Sequence, residues 1–390
     1  MISRWMSLND RKLGDTVDSL FNSRPASPLV ERDSFYSDYL YITFIYRDST
    51  RNKSISFDIF GHYDDRNLGD RKLKKLRNTD LYYRTYYMPS DICFSYRFLV
   101  QDTIENTKEY EIDPLNSDRI PTGERKEFSW SVLDLRPDGE VWYNKKCGDS
   151  KSQLISLTFK STILNNERNV TVYLPEGYDK NKESGYPVIY LFDPFIYLNR
   201  IEAPNVLDNM IREKRIEPMM AVFIDNPSNE LRNLELPLNF AFKDFVVQEL
   251  VPYIRSNWNV TGESRQTIIG GMSYGGLAAA FCAFYHDSIF GNVLSQSGSF
   301  WRDTTIQEPS VNWHRTDWLI SQLQHNPKKN ITFYLDWGLQ EPIILNSNRK
   351  LARVLDQLGY EYKFSEFNGW HDWSNSRKTF PAGLLFLSGS

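Results

Sequence analysis

Through the first third of the chain, aromatic and β-branched residues alternate with polar ones at a period of two. The segments 39–48 (YLYITFIYRD), 54–60 (SISFDIF), 81–89 (LYYRTYYMP) and 91–101 (DICFSYRFLVQ) each read as a strand bounded by Gly, Pro, Asn or Asp. In the last of these, Ile92, Phe94, Tyr96 and Phe98 share one face, as in a strand with one buried side. The pair 81–101, joined across Pro89-Ser90, reads as a hairpin. A helical period is faint and confined to the first twenty residues. The pattern predicts an all-β sandwich over 1–125. A linker follows over 126–150; the stretches 113–125 and 136–140 are punctuated by Pro, Gly, Asn and Asp.

Beyond residue 150 the period changes. Two alternating segments come first, 154–159 and 168–175, joined across Asn165-Asn166-Glu167. PVIYLF (187–192) and MMAVFID (219–225) are then apolar without interruption, as strands covered on both faces require. Further strands are expected at 266–270, 291–297, 331–338 and 360–367, with helices over 239–258, from Tyr274, and over 346–358. Strand and helix alternating across 151–390 predict an α/β domain with a mostly parallel sheet.

Composition narrows the class. A length of 390 residues suits two or three domains. With 41% hydrophobic and 25% charged residues the chain has the makeup of a globular protein. The net charge is −4, and neither side of residue 150 is basic, so no nucleic-acid partner is expected. The densest basic run, 71–77, reads as a solvated loop. Cys93, Cys147 and Cys282 are too few and too scattered for a disulfide framework or a metal knuckle. The start of the chain lacks an apolar signal core, and no apolar run is long enough to span a membrane. A cytoplasmic protein without a membrane partner is expected, and a homo-oligomer is left open.

One segment carries chemistry. In QTIIGGMSYGGLAAAFCAF a short strand runs into Gly271-Met272-Ser273-Tyr274-Gly275, and an Ala-rich helix starts at once. This is G-x-S-x-G in its strand–turn–helix setting, where a strained turn lifts the serine hydroxyl above the sheet. Glycines at 271 and 275 are expected because side chains there would strike the neighbouring strand and helix. The setting predicts the α/β-hydrolase fold and Ser273 as nucleophile.

Of five histidines, His62, His286, His314 and His325 occupy places that suit exposed or capping roles. His371 lies in a loop after the last predicted strand (FNGWHDWSN), where an α/β-hydrolase keeps its base. The acid should follow a strand between serine and histidine. Asp336 at a strand end and Glu341 in the loop beyond it both qualify, with reach favouring Glu341; Asp372 adjoins the histidine too closely to orient its ring. The oxyanion hole needs two backbone N–H groups. Tyr274, just after the nucleophile, supplies one. In the loop Asp193-Pro194-Phe195, proline has no N–H, so Phe195 is expected to supply the other.

GGMSYGGLAA, VLSQSGSFW, GLQEPIILNSN and GWHDWSNSR resemble, in order, the enterochelin (enterobactin) esterase family. YLFDPF and NELRNLELP extend the resemblance, which covers most of 150–390; DPLN at 113–116 extends it loosely toward the N-terminus. It implies a triad of Ser273, His371 and Glu341, with Arg232, Trp301 and Arg377 around the substrate. It further implies hydrolysis of a catecholate siderophore trilactone, a small-molecule substrate that brings its own iron. No cofactor is expected, since no metal-ligand spacing is present. A ferric triscatecholate is anionic, so cations should gather near the nucleophile. Arg200, Arg232, Arg302 and Arg377 stand on four loops with aromatic Phe195, Trp301 and Trp373 among them. Trp301 and Trp370 read as packing residues somewhat more readily than as ligand stacks, and Arg232 reads equally well as an exposed loop cation. Two other readings compete: a carbohydrate-linked feruloyl or acetyl esterase, whose usual secretion the missing signal segment opposes, and a catalytically dead binding protein.

Overall fold

The computed structural model describes residues 7–23, 26–33, 35–48, 53–61, 70–120, 129–137, 148, 150–303 and 317–389; His62, Cys147 and His314 lie outside them. The chain divides into two compact units, 1–138 with 368–375 and 139–367 with 376–390.

The first unit opens with helix α1 (Asp10–Asn22). The Asn9 side chain caps it by accepting from Lys12 N at 3.0 Å. Leu13 and Val17 on its inner face are buried with Leu29, Ile45, Leu76 and Leu81. The strands β1 (Leu29–Arg32), β2 (Tyr39–Arg47), β4 (Lys74–Lys75) and β5 (Leu81–Pro89) form one antiparallel sheet in the order β1-β2-β5-β4. In a second sheet, β6 (Cys93–Asp102) pairs with β3 (Lys53–Ile59), β7 (Lys108–Glu111) and β8 (Ser131–Asp134). An aromatic core joins them: Phe44 of β2 lies 4.0 Å, centroid to centroid, from Phe57 of β3, and Phe94 and Tyr96 of β6 complete it.

Two expectations fail here. The segments 81–89 and 93–102 are not a hairpin, because β5 pairs with β2 and β6 pairs with β3. Pro89 ends β5 without a donor to offer, and the chain crosses to the other sheet within three residues. Nor is β6 buried on one side only. Ile92, Phe94, Tyr96 and Phe98 face the aromatic core as expected, yet Cys93 and Ser95 on the opposite face are also buried. Residues 368–375 belong to this unit rather than to the C-terminal part of the chain, and they engage β6 directly. Cys93 N donates to Asn368 O at 3.0 Å, and Trp370 stands edge-on to Phe94 at 5.3 Å.

The second unit is built on an eight-stranded sheet. Its strands are β9 (Gln153–Ser161), β10 (Asn166–Leu174), β11 (Val188–Phe192), β12 (Met220–Ile224), β13 (Thr267–Met272), β14 (Asn292–Gln296), β15 (Thr332–Gly338) and β16 (Glu361–Phe367), in the order β16-β15-β14-β13-β11-β12-β10-β9. The six strands from β11 on run parallel, and β9 and β10 are antiparallel. Period two divides the apolar strands between two cores. Val188, Tyr190 and Phe192 enter one, Ile189 and Leu191 the other; Val222 and Phe223 of β12 divide likewise.

The first core is covered by α5 (Phe240–Asp244), a π-helical turn over 245–250, α6 (Val251–Asn257), α7 (Tyr274–Tyr285), α8 (Trp318–His325) and α9 (Pro342–Gln357). The helix expected over 239–258 is therefore one run with a π-bulge, beside the missing N–H of Pro252. The other core lies under α2 (Pro194–Asn199), α3 (Ala203–Arg212) and the part of α10 (Trp373–Leu387) from Ser376 onward. The remaining short helix, α4 (Asn229–Glu235), follows β12. Among the described residues no helix is long and apolar enough to cross a membrane.

Candidate active site

Ser273 sits between the central strand β13 and helix α7 with φ +60° and ψ −119°, a conformation that residues with a Cβ rarely adopt. Its backbone is fixed on both sides. Ser273 N donates to Gln296 O at 2.8 Å, and its carbonyl accepts from Leu277 N at 3.2 Å and Ser299 N at 3.1 Å. The hydroxyl lies 3.2 Å from Ser299 Oγ.

The surrounding glycines differ in what they accommodate. A Cβ on Gly271 would lie 2.6 Å from the Gly275 carbonyl carbon, and one on Gly276 would overlap Ser295 Oγ. At Gly275 the nearest atoms, Asp193 Oδ2 and Phe192 Cβ, stand 3.4 Å away. The expected clash at 275 is thus a close fit against the loop after β11, and Gly276 carries the tighter constraint.

That loop begins at the end of β11, the parallel neighbour of β13. Asp193 is left-handed, with φ +59° and ψ +64°, and its carbonyl accepts from Ile196 N at 2.9 Å. Pro194 and Phe195 open α2, and Tyr274 opens α7. Residues at these first helical positions have no acceptor for their N–H within their own helix.

The two candidate acids have different environments. Asp336 is wholly buried: it accepts from Ser297 N at 3.1 Å and Gln296 Nε2 at 3.2 Å. Burial raises its pKa to about 7, against the opposing hydrogen bonds of Thr379, Gln296 and Ser297. Glu341 sits in the loop between β15 and α9. Its Oε1 accepts from Gly338 N at 2.7 Å and Ser297 Oγ at 2.9 Å. Gln296 and Ser297, in the VLSQSGSFW segment, had no assigned role at the level of sequence, although they tie both carboxylates to β14, the strand beside β13.

The basic and aromatic residues do not form a set of unengaged cations. The Arg232 guanidinium meets Asp193 through two bonds, Nε to Oδ1 at 2.5 Å and Nη2 to Oδ2 at 2.7 Å. Arg377 pairs with Glu202. Arg200 is fully buried, its guanidinium 4.9 Å from the Phe195 ring centroid. Arg302 lies 5.7 Å from the Tyr274 ring and 5.9 Å from that of Trp301, and Arg232 is 5.9 Å from Tyr274 on its own account. Tyr274 and Trp301 are 6.4 Å apart. Arg302, Tyr274 and Trp301 therefore cluster beside Ser273. Asp193 as the partner of Arg232 went unseen, for no local pattern links residues 39 positions apart.

His371 belongs to the first unit, and its loop is held there closely. A Cβ on Gly61, whose own φ is +71°, would overlap the His371 carbonyl. Asp372 is buried and accepts from Ser95 N, from Ser95 Oγ at 3.0 Å and from Ser374 N at 3.0 Å. Burial raises its pKa, which those hydrogen bonds oppose. The carboxylate is thus committed to its own loop and to β6. Asn375 Nδ2 donates to Cys93 O at 3.2 Å, Arg136 Nη1 donates to Asn375 Oδ1 at 3.1 Å, and Trp373 packs 4.0 Å from Phe60. Two other histidines have structural partners: His286 Nε2 lies 3.4 Å from Lys243 Nζ, and His325 Nδ1 lies 2.8 Å from Ser321 O. No group of three potential metal ligands occurs among the described residues.

Comparison with known proteins places these features in a family. Residues 161–387, more than half of the chain, match the family model described as Putative esterase, and residues 41–142 match Enterochelin esterase, N-terminal. The iron(III) enterobactin esterase of Dickeya dadantii is 25% identical, with 90% of this chain and 87% of that protein covered. The iron(III) enterobactin esterase of Escherichia coli O6:H1 (strain CFT073) is 26% identical, covering 70% of this chain but 66% of the relative's length. In fold, the chain is like the enterobactin esterase of Shigella flexneri solved in the presence of enterobactin, with a TM-score of 0.77 at 23% identity over 95% of this chain and 97% of that one. A ferulic acid esterase from Anaeromyces mucronatus is less similar, with a TM-score of 0.54 at 18% identity over 65% of this chain and 97% of that one. The chain belongs to the ester hydrolases described as Putative esterase, with the enterochelin esterase N-terminal region ahead of that domain.

Proposed function

We propose that the chain is a cytoplasmic serine esterase that hydrolyses the trilactone ester bonds of a ferric catecholate siderophore. Its N-terminal part is read as a β-sandwich, its C-terminal part as an α/β-hydrolase domain. The observation that carries the reading is Ser273 on its strained turn at the end of β13, beside the Asp193–Phe195 loop of the neighbouring strand. In this mechanism Ser273 Oγ attacks the ester carbonyl and passes its proton to His371. The developing oxyanion is received by the N–H groups of Tyr274 and Phe195. His371 then protonates the departing alkoxide, and a water repeats the sequence to free the acid and restore the serine. Glu341 is the preferred triad acid, because it stands in the loop beyond β15, whereas Asp336 is sealed in the sheet interior, where burial raises its pKa. Trp301, Tyr274 and Arg302 would flank the catechol groups; Arg232 lies 5.9 Å from the Tyr274 ring with its charge opposed by Asp193, and the charge of Arg377 is opposed by Glu202.

The second reading, a feruloyl-type esterase, draws on the fold likeness over 65% of the chain. The first is favoured by relatives aligned over nearly the whole length. Turnover of ferric enterobactin and of a feruloyl-sugar ester by the same preparation separates them, with Ser273→Ala as control. Preference for the ferric complex is expected, and faster release of ferulate would reverse the assignment.

A further inference from the structure

We propose that Arg232 and Asp193 form a fixed clamp that positions the oxyanion loop, so that Arg232 serves the reaction through Asp193 rather than by holding substrate. The inference rests on the reading of Ser273 as nucleophile and of Phe195 N–H as an oxyanion donor.

Asp193 holds a left-handed backbone, which Asp adopts more readily than most residues with a Cβ and which its surroundings here reinforce. Two sets of bonds do so. Its carbonyl accepts from Ile196 N and Tyr197 N at 2.9 and 3.3 Å. Its carboxylate is gripped by Arg232 in the two-pronged geometry that only a guanidinium provides. The following residue is Pro194, whose ring fixes φ and whose place in the first turn of α2 sets ψ, so the direction of the Phe195 N–H follows from the torsions of Asp193. The same carboxylate seats against the nucleophile turn: Oδ2 stands 3.4 Å from where a Cβ on Gly275 would lie. Here the last glycine of G-x-S-x-G borders Asp193 at van der Waals distance. The helix that carries Arg232, α4, is capped by Ser228 Oγ, which accepts from Leu231 N at 3.2 Å. The Asp193 side chain is 7% exposed, so the pair is shielded from salt far better than a surface pair.

A substrate cation and a clamp respond differently to substitution. Arg232→Ala, Arg232→Lys, Asp193→Asn and the double variant Arg232→Ala/Asp193→Asn are compared on a neutral p-nitrophenyl ester and on ferric enterobactin, at low and high salt. Thermal melting is followed alongside. Loss of one oxyanion donor costs about 10²–10³ in kcat, which bounds the effect. The clamp predicts that Arg232→Ala and Asp193→Asn each lower kcat about 10- to 100-fold on both esters. KM should hold nearly constant, salt should have no influence, and the double variant should be little worse than either single one. Arg232→Lys, able to hold one oxygen, should recover part of the loss. A rise in KM for the ferric complex alone, relieved by salt and with the neutral ester unaffected, would overturn the clamp and make Arg232 a substrate contact. Ser273→Ala tests the underlying reading separately: should it keep its activity, the nucleophile is elsewhere and the clamp falls with it.

Discussion

Ser273 combines a disfavoured torsion with three backbone hydrogen bonds that hold it there, so replacing its side chain should leave the turn intact. Ser273→Ala is expected to keep its melting temperature and to lose about 10⁶ in kcat. A variant within tenfold of wild type on any ester would exclude the role. The two acids separate on pH as well as on rate. Glu341→Gln should cost about 10⁴ in kcat, the scale on which an orienting carboxylate acts. Asp336 has its folded pKa raised from 3.8 to about 7, so the folded protein binds a proton that the unfolded chain gives up. Stability from this group is lost as pH climbs from about 4 to about 7 and is constant above. Asp336→Asn should flatten that slope in melting curves taken between pH 5 and 8, with a mild effect on kcat. If instead Asp336→Asn abolishes turnover while Glu341→Gln is mild, the acid is Asp336. Arg302, 5.7 Å from the Tyr274 ring, is the cation near Ser273 for which charge attraction is best tested. Arg302→Ala should raise KM for a ferric triscatecholate several-fold, and added salt should shrink the difference.

At the scale of elements, the loop carrying His371 depends on strand β6. The Asp372 carboxylate accepts from Ser95 and Ser374, and an amide there would turn an NH₂ toward one of those donors. Asp372→Asn should therefore destabilise the unit by about 1–3 kcal/mol, the usual penalty for an unsatisfied buried group. Thermal melting measures this, and Ser95→Ala, which keeps the backbone donor, should be milder. The period-two pattern of β6 revealed the inner face of that strand but not its cover. Alternation reports which side chains share a face; Ser95 is polar and buried because its partner lies 277 residues away. The misread hairpin at 81–101 has the same origin. Strand propensity is local, whereas the choice of sheet partner is made by β2 and β3, which lie far upstream.

For the whole molecule, the consequence is that the first unit is discontinuous in sequence, since 368–375 contribute Trp370 to its core. A fragment of residues 1–138 should expose that part of the core. It should melt well below the intact chain and bind a hydrophobic dye, since the loss of a buried Trp side chain costs about 3–5 kcal/mol. A fragment as stable as the full protein would show that the segment is only an appendage. The sequence by itself determined the alternation of strands and helices beyond residue 150, the parallel sheet with a core on each face, and the strand–turn–helix around Ser273. Those properties depend on periodicity, on a run of glycines and on residues adjacent in the chain. Only the tertiary structure decided that Arg232 is taken by Asp193, that Arg200 is buried, that Asp336 is sealed in the interior, and that the histidine loop belongs to the first unit. Each of these is set by which groups meet across dozens or hundreds of residues and by how much water the meeting excludes, and neither quantity is written in a local pattern.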